Sequence, residues 1–385
     1  MDAVTNPYSP GAGLRPAVLA GRDGERAAFD AVLQRATLDR PVRGLMLTGL
    51  RGVGKTVLLN ELADSAEEAG WITVGMEVRS DGARPFLATV AQQLSAGLRR
   101  GLGRKIGTAT TRALASVKAF SLTVDPTGQI GVNIDLDAAG SGDLEVDFAA
   151  LAVDVGRRAR ELGIGVAVMV DELQELDKRT LAAVAAAAHA AGQRGVPFVI
   201  VGAGLPSLPG RLAEAKSYSE RLFDYRPLGR LDADTAARAV TEPAADSGAS
   251  WEPDAVTTVV DAANGYPYFL QEYGSACWQV AAGPGITAHD AENGITLGRA
   301  ILDGGFFRSR WDRATPTERL YLAAMAADGV GPARTPDVAT RLDRTQSNLG
   351  PIRASLIGKG LVYAPEYGQI AFTVPGMADF VHRQT

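Results

Sequence analysis

The sequence predicts an α/β fold in which a mostly parallel, helix-covered sheet precedes a helical region and a carboxy-terminal winged helix-turn-helix. Three observations carry that prediction. Short apolar runs alternate with stretches of helical spacing through the amino-terminal half, the pattern of a sheet whose crossovers are helices. A glycine-rich loop joins the first of these runs to a helix. Toward the carboxy terminus, three helical segments lead into two short strands around a turn.

A chain of 385 residues is long enough for two or three domains of ordinary size. With 46% hydrophobic and 22% charged residues it has the composition of a folded soluble protein, not of a collagen, a charge-rich coil or a disordered chain. A net charge of −5 argues against nonspecific attraction of the whole surface to DNA or an anionic membrane, and leaves room for a local basic patch. The single cysteine, Cys277, has no partner for an internal disulfide and reads as a buried structural thiol in a reducing compartment. The amino terminus lacks the basic start and apolar run of a signal peptide, and the alanine-rich stretch from Leu181 is too short to span a bilayer. A cytoplasmic protein without membrane insertion is the expectation.

In chain order, residues 1–19 form a lead expected to be flexible. GRDGERAAFDAVLQRA then opens a helix capped by Asp23, with Ala27, Phe29, Val32 and Leu33 on its buried side. Residues 20–230 make the α/β core. Its strands are read at Leu45–Leu47, from Trp71, at Val166–Val170 and in GVPFVIVGAG from Gly195, with helices from about Lys55 and Arg84. Residues 118–136 alternate apolar and polar positions around Pro126–Thr127–Gly128, which predicts an inserted hairpin that enlarges the core or offers a contact to other subunits, in preference to nucleic acid. Residues 231–305 form a helical lid, and residues 306–385 the winged helix-turn-helix.

The sharpest chemical signal is Gly49–Leu50–Arg51–Gly52–Val53–Gly54–Lys55–Thr56, a complete G-x-x-x-x-G-K-[ST] pattern between a strand and a helix. Its glycines permit tight backbone turns that aim amides at an oxyanion, and the helix start favours phosphate. Lys55 neutralises β- and γ-phosphate oxygens, and Thr56 offers a hydroxyl to Mg²⁺. A second apolar run ends at Asp171–Glu172. Asp171 is suited to organise Mg²⁺, and Glu172 to accept a proton from the attacking water. Together these are the marks of a P-loop NTPase that takes ATP and Mg²⁺ as cofactors.

On those residues the chain resembles a bacterial or archaeal P-loop ATPase of the AAA+ and STAND group, near the Orc/Cdc6-like branch with a carboxy-terminal winged helix. The resemblance covers most of the chain. It implies that Gly21, Arg22 and Asp23 of GRDGER lie on the adenosine side, where a helix cap would leave much the same sequence. It likewise implies that Pro267 of Gly265–Tyr266–Pro267 touches nucleotide from the lid, an ordinary proline turn being the alternative. Arg221 is the candidate arginine finger, with Arg226 and Arg211 as other candidates and a surface ion pair as the plainer reading. The polar residue that the family often places after the fourth core strand is absent from Gly202–Ala203–Gly204, which implies slow or partner-dependent turnover.

In the winged-helix segment, Arg344–Thr345–Gln346–Ser347–Asn348 open the proposed recognition helix and Arg353 follows on it. Arg334, Arg341, Arg344, Arg353 and Lys359 outnumber Asp337 and Asp343 there, which suits duplex DNA. The wing, with Glu366 and Tyr367, has no basic tip and suits a protein partner instead. The functional expectation is an ATP-dependent conformational switch, with nucleotide-dependent homo-oligomers as a further expectation. A DNA-associated ATPase of replication, transposition, regulation or defence is the second reading, and a nonhydrolysing nucleotide sensor or protein-interaction scaffold the third.

Overall fold

A computed structural model describes residues 1–78, 143–329 and 331–384, with positions 86, 89, 90, 93 and 94 in addition. The hairpin expected at 118–136 lies outside the described residues. The backbone packs into two compact units, one of Met1–Gly21, Gly49–Val57 and Leu228–Thr385, the other of Arg22–Thr48 and Leu58–Pro227.

The second unit is the α/β body. Strands β1 (Gly44–Thr48), β2 (Ile72–Glu77), β3 (Val166–Asp171), β4 (Phe198–Gly204) and β5 (Phe223–Pro227) form one parallel sheet in the order β2-β3-β4-β1-β5. Every residue of β1, β3 and β4 is buried, as strands covered on both faces by helices must be. The helices of this unit include α1 (Asp23–Thr37), the body of α2 (Lys55–Glu68), α3 (Leu144–Glu161) and α4 (Lys178–Arg194). Phe148, Leu151 and Val155 of α3 and Leu181, Val184 and Ala187 of α4 join the strand residues in a single apolar core.

Two details differ from the sequence reading. Asp23 does not cap α1: the N-cap is Arg22, which makes no side-chain cap bond, and Asp23 stands inside the first turn, where its charge faces the positive end of the helix dipole. Phe29, Leu33 and Ala36 form the buried side, while Ala27 is exposed and Val32 half-buried. Strand β5 is also additional. Its sequence, FDYRP, mixes charged residues with a terminal proline, as befits an edge strand and as hides one from an apolar-run reading.

The first unit holds the helical lid and the winged helix. The lid comprises α5 (Ala233–Asp246), α6 (Pro253–Ala263), α7 (Pro267–Val280) and α8 (Ala288–Ile301). A π-helical turn at Leu302–Phe307 and a short helix at Arg308–Trp311 continue from α8 into the winged module. That module contains α9 (Pro316–Ala326), α10 (Thr335–Arg341) and α11 (Gln346–Gly358), with α12 (Met377–Gln384) closing the chain. Strands β6 (Ala333–Arg334), β7 (Val362–Tyr363) and β8 (Gln369–Phe372) pair antiparallel in the order β6-β8-β7. Three helices and a small sheet give the winged helix-turn-helix.

The amino-terminal lead, expected to be flexible, is bonded to the lid. Asn6 Nδ2 donates to the carbonyl of Ser275 at 3.2 Å, and the indole N–H of Trp278 donates to the carbonyl of Asp2 at 2.8 Å. The Tyr8 hydroxyl donates to the carbonyl of Val240 and accepts from the Trp251 indole. Tyr8 and Trp278 share a small apolar cluster with Ala244 and Ala249. Cys277 is fully buried and pushed up to about 12 by that burial, which leaves it an inert packing thiol.

Candidate functional site

The phosphate loop begins where β1 ends and closes where α2 begins. Gly52 and Gly54 have φ of +86° and +90°, conformations that side chains other than glycine rarely adopt. A Cβ on Gly49 would stand 2.4 Å from the carbonyl oxygen of Leu228. At Gly54 nothing lies within 4 Å of that position, so the loop offers its backbone to an open space. Lys55 is nearly buried, and its ammonium donates to the carbonyls of Gly49 and Leu50, each at 3.0 Å. A backbone cradle, a helix start and a lysine folded onto the loop suit a polyphosphate.

Within the same unit the loop has further neighbours. Tyr268 donates its backbone N–H to the carbonyl of Gly52 at 3.2 Å, and Arg51 donates its backbone N–H to the carbonyl of Thr373 at 3.0 Å. Pro267 starts α7 directly before Tyr268, so the Gly265–Tyr266–Pro267 turn delivers Tyr268 to the loop. The Tyr268 ring stacks on Phe306 with centroids 4.7 Å apart, and the Arg310 guanidinium lies over Phe306 at 4.1 Å. Burial, with Arg51 and Arg313 nearby, lowers Arg310 to about 10, so it remains a cation at neutral pH. No sequence motif pointed to Tyr268 or Arg310. Gly21, on the same unit, has φ of +68° and packs against Thr235.

The remaining candidates belong to the α/β body. Arg22 is buried, which lowers its pKa, and Asp23 is exposed on α1. The carboxyl ends of parallel β1 and β3 share one edge of the sheet, so Thr48, leading into the loop, and Asp171 end their strands on the same side. Asp171 is buried, and its Oδ1 accepts the backbone N–H of Glu172 at 2.8 Å. Glu172 sits in the left-handed region with φ of +51°, at the head of a 3₁₀ turn, Leu173–Glu175. A non-glycine residue there is uncommon, and such conformations cluster at functional sites. Gln174, which sequence reasoning passed over although it stands two residues beyond Glu172, donates to the Glu172 carboxylate at 2.5 Å.

The candidate arginines separate clearly. Arg211 holds the carbonyls of Gln174 and Leu176. Arg226 pairs with Asp224 through two of its nitrogens, at 2.9 and 2.5 Å. Arg221 is exposed at the end of a one-turn helix, Ser219–Leu222, and no bond engages its side chain among the described residues. The described residues contain no cluster of three or more His, Cys, Asp or Glu of the kind that holds a metal on protein ligands alone. Mg²⁺ bound with a nucleotide keeps water and phosphate oxygens and needs only one or two protein oxygens.

The winged helix spends much of the charge that its sequence displays. Arg341 pairs with Asp328 and donates to the carbonyl of Ala324 at 2.8 Å. Lys359 pairs with Glu318 at 2.6 Å. Arg353 reaches the carbonyl of Gln369 at 3.4 Å, and its Nε is buried without a partner. Arg344, Thr345, Gln346, Ser347 and Asn348 are exposed, as are Arg334 and the wing-tip Tyr367.

Residues 18–201 match the family model of the AAA ATPase domain, and residues 304–381 match a domain of unknown function, DUF8462. The Walker-type ATPase PABY2304 of Pyrococcus abyssi has a similar fold, with a TM-score of 0.59 at 14% identity over 96% of this chain and 97% of that one. The Aeropyrum pernix Orc1 protein in complex with DNA gives 0.49 at 16% identity over 96% of each chain. The Thermotoga maritima RuvB Holliday junction branch migration motor gives 0.46 at 15% identity over 94% of this chain and 96% of that one. No curated protein matches the chain. The fold is that of a P-loop ATPase of the AAA+ type, with a helical lid and a winged helix-turn-helix. Its amino-terminal part carries an AAA+-type ATPase domain, and no helix among the described residues is long and apolar enough to cross a membrane.

Proposed function

We propose that the protein is an ATP-dependent conformational switch in which slow or partner-stimulated hydrolysis alters what the winged helix presents. The observation that carries this reading is the loop Gly49–Thr56, whose backbone is bonded both to the lid at Tyr268 and to the winged helix at Thr373. Lys55 and the loop amides would hold the β- and γ-phosphates, and Thr56 and Asp171 would hold Mg²⁺. The metal, when bound, withdraws charge from the phosphate oxygens. Glu172 would take the proton of the attacking water, and Arg221 is the candidate to reach a neighbouring subunit's phosphate. Gly21, Arg22 and Asp23 would line the adenosine side, with Pro267 placing the lid turn.

A second reading, a DNA-associated ATPase, draws on the exposed Arg344–Asn348 face of the winged helix. The test is ATP turnover measured with and without a mixture of duplexes, beside the solution mass in ATP and in ADP. Turnover above background supports the switch, and stimulation by duplex favours the second reading. ATP binding without turnover leaves a nucleotide sensor, and no binding at all overturns the reading.

A further inference from the structure

We propose that Gln174 is a positioning residue that fixes the Glu172 carboxylate for hydrolysis, acting from the 3₁₀ turn in place of a side chain at the end of β4. The inference rests on the reading of Glu172 as the general base.

Gln174 is only 3% exposed, and its amide has one orientation. The backbone N–H of Leu205, directly after β4, donates to Gln174 Oε1 at 3.0 Å. A backbone N–H can only donate, so the oxygen must face Leu205 and the NH₂ must face the other way. There Nε2 donates to Glu172 Oε2 at 2.5 Å and to Glu175 Oε1 at 3.3 Å. A hydrogen bond to a carboxylate is among the stronger kinds, and it holds one Glu172 oxygen in a set direction. The turn itself is clamped from below, because the Arg211 guanidinium takes the carbonyls of Gln174 and Leu176.

The glycines of β4 complete the argument. A Cβ on Gly204 would stand 2.5 Å from Gln174 Oε1, and one on Gly202 would stand 2.7 Å from Leu173 Cδ2. Gly202 lets the turn pack onto the strand, and Gly204 leaves the volume that the Gln174 amide fills. A side chain at 204 would therefore have to displace the amide of Gln174. The bare strand end at Gly202–Ala203–Gly204 is thus not an empty position but one supplied from the neighbouring turn. Polar contacts of this kind, one step removed from the reacting groups, contribute about 10–100-fold to activity where they have been removed.

Gln174→Glu isolates the proposed bond, since it keeps the length and the acceptor for Leu205 while turning a second carboxylate oxygen toward Glu172. The expected result is a kcat lower by about 10–100-fold, with KM and the ATP dissociation constant within about twofold of wild type. In a Gln174→Ala background, Gly204→Ser places a hydroxyl in the vacated volume and restores part of the lost kcat. Gly204→Ser alone displaces the amide and lowers kcat, and this arm carries the test should Gln174→Glu fail to fold. A folded Gln174→Glu with wild-type kcat, or with kcat and ATP affinity falling together, overturns the proposal. If wild type hydrolyses ATP, Glu172→Gln is inert and Gln174→Glu is fully active, the positioning role alone fails. If wild type binds ATP without turning it over, the base role of Glu172 fails and the proposal with it.

Discussion

Arg51, within the phosphate loop, donates its backbone N–H to the carbonyl of Thr373, the residue that follows the last strand of the winged helix. The Thr373 hydroxyl donates in turn to the carbonyl of Gly360 at 2.8 Å, and a Cβ on Gly360 would stand 3.3 Å from Arg51 Nη2. The loop and the β7–β8 side of the wing are thus joined through one backbone bond and one side chain. A phosphate group that draws loop amides toward itself competes with such a bond. Saturation with ATP is therefore expected to change hydrogen exchange at the Arg51 amide and through residues 360–373 together. Exchange over 360–373 that is unchanged, with binding verified by calorimetry, would rule out this route of coupling.

Lys55→Ala removes both a cation for phosphate and the donor that holds the carbonyls of Gly49 and Leu50. ATP affinity measured by calorimetry is expected to fall by at least about tenfold, the loss of one charge-assisted contact. Thr56→Ala is expected to weaken binding more with Mg²⁺ present than in metal-free buffer. Equal losses in the two buffers would assign Thr56 a packing role.

Glu172→Gln keeps the shape of the side chain and removes its basicity. The folded variant is expected to bind ATP normally and to hydrolyse it at least about 100-fold more slowly in a single turnover. Equal single-turnover rates in the two proteins would exclude Glu172 as the base. Loss of binding would instead mark Glu172 as part of the phosphate or metal site.

The parts of this structure that were legible in the sequence are those whose chemistry is local. A G-x-x-x-x-G-K-T run dictates its own backbone, because φ near +90° at Gly54 leaves few residues to choose from. A continuous apolar run such as Val166–Val170 can only be a covered strand or a buried helix, and the carboxylates after it favour the strand. Contacts made at long range were not legible. Gln174 becomes a partner of Glu172 through Leu205, about thirty residues on, which folding alone brings near. The pairing of the winged helix's charges was hidden for the same reason: Asp328 and Glu318, which engage Arg341 and Lys359, lie outside residues 334–359. The amino-terminal lead, polar and rich in proline and glycine, gave no sign that Tyr8 and Asn6 dock on α5 and α7.

Duplex binding, where it occurs, is expected to depend on Arg344 and Arg334, since Arg341 and Lys359 are engaged within the module. Two phosphate contacts give a log–log salt slope of about −2, against about −4 or steeper if every basic residue of the segment took part. Arg344→Ala is expected to reduce the slope by about 1, and a fluorescent duplex titration over a salt series reads it. A steep slope, or one that Arg344→Ala leaves unchanged, places the contact elsewhere.

Glu318 gives the winged helix a pH dependence of stability with a definite sign. The carboxylate is buried in α9, and burial alone would push it up. Donors outweigh that effect: Lys359 Nζ at 2.6 Å, Ser355 Oγ at 2.7 Å and the backbone N–H of Thr315 at 2.6 Å bring it down to about 2 from an ordinary 4.5. Because the folded value lies below the unfolded one, the stabilisation is fully present above about pH 4.5 and is lost as pH falls toward 2. Lys359→Met leaves the carboxylate buried without its cation. The expected cost is about 2–3 kcal/mol at neutral pH, below the full penalty of breaking a wholly buried pair because the Lys359 side chain keeps 31% of its surface in water. The variant is also expected to lose less stability on acidification than wild type, since part of the depressed carboxyl value has gone with the lysine. Chemical denaturation of both proteins between pH 3 and 7 measures this, and parallel stability curves would show that the pair does not govern the acid response.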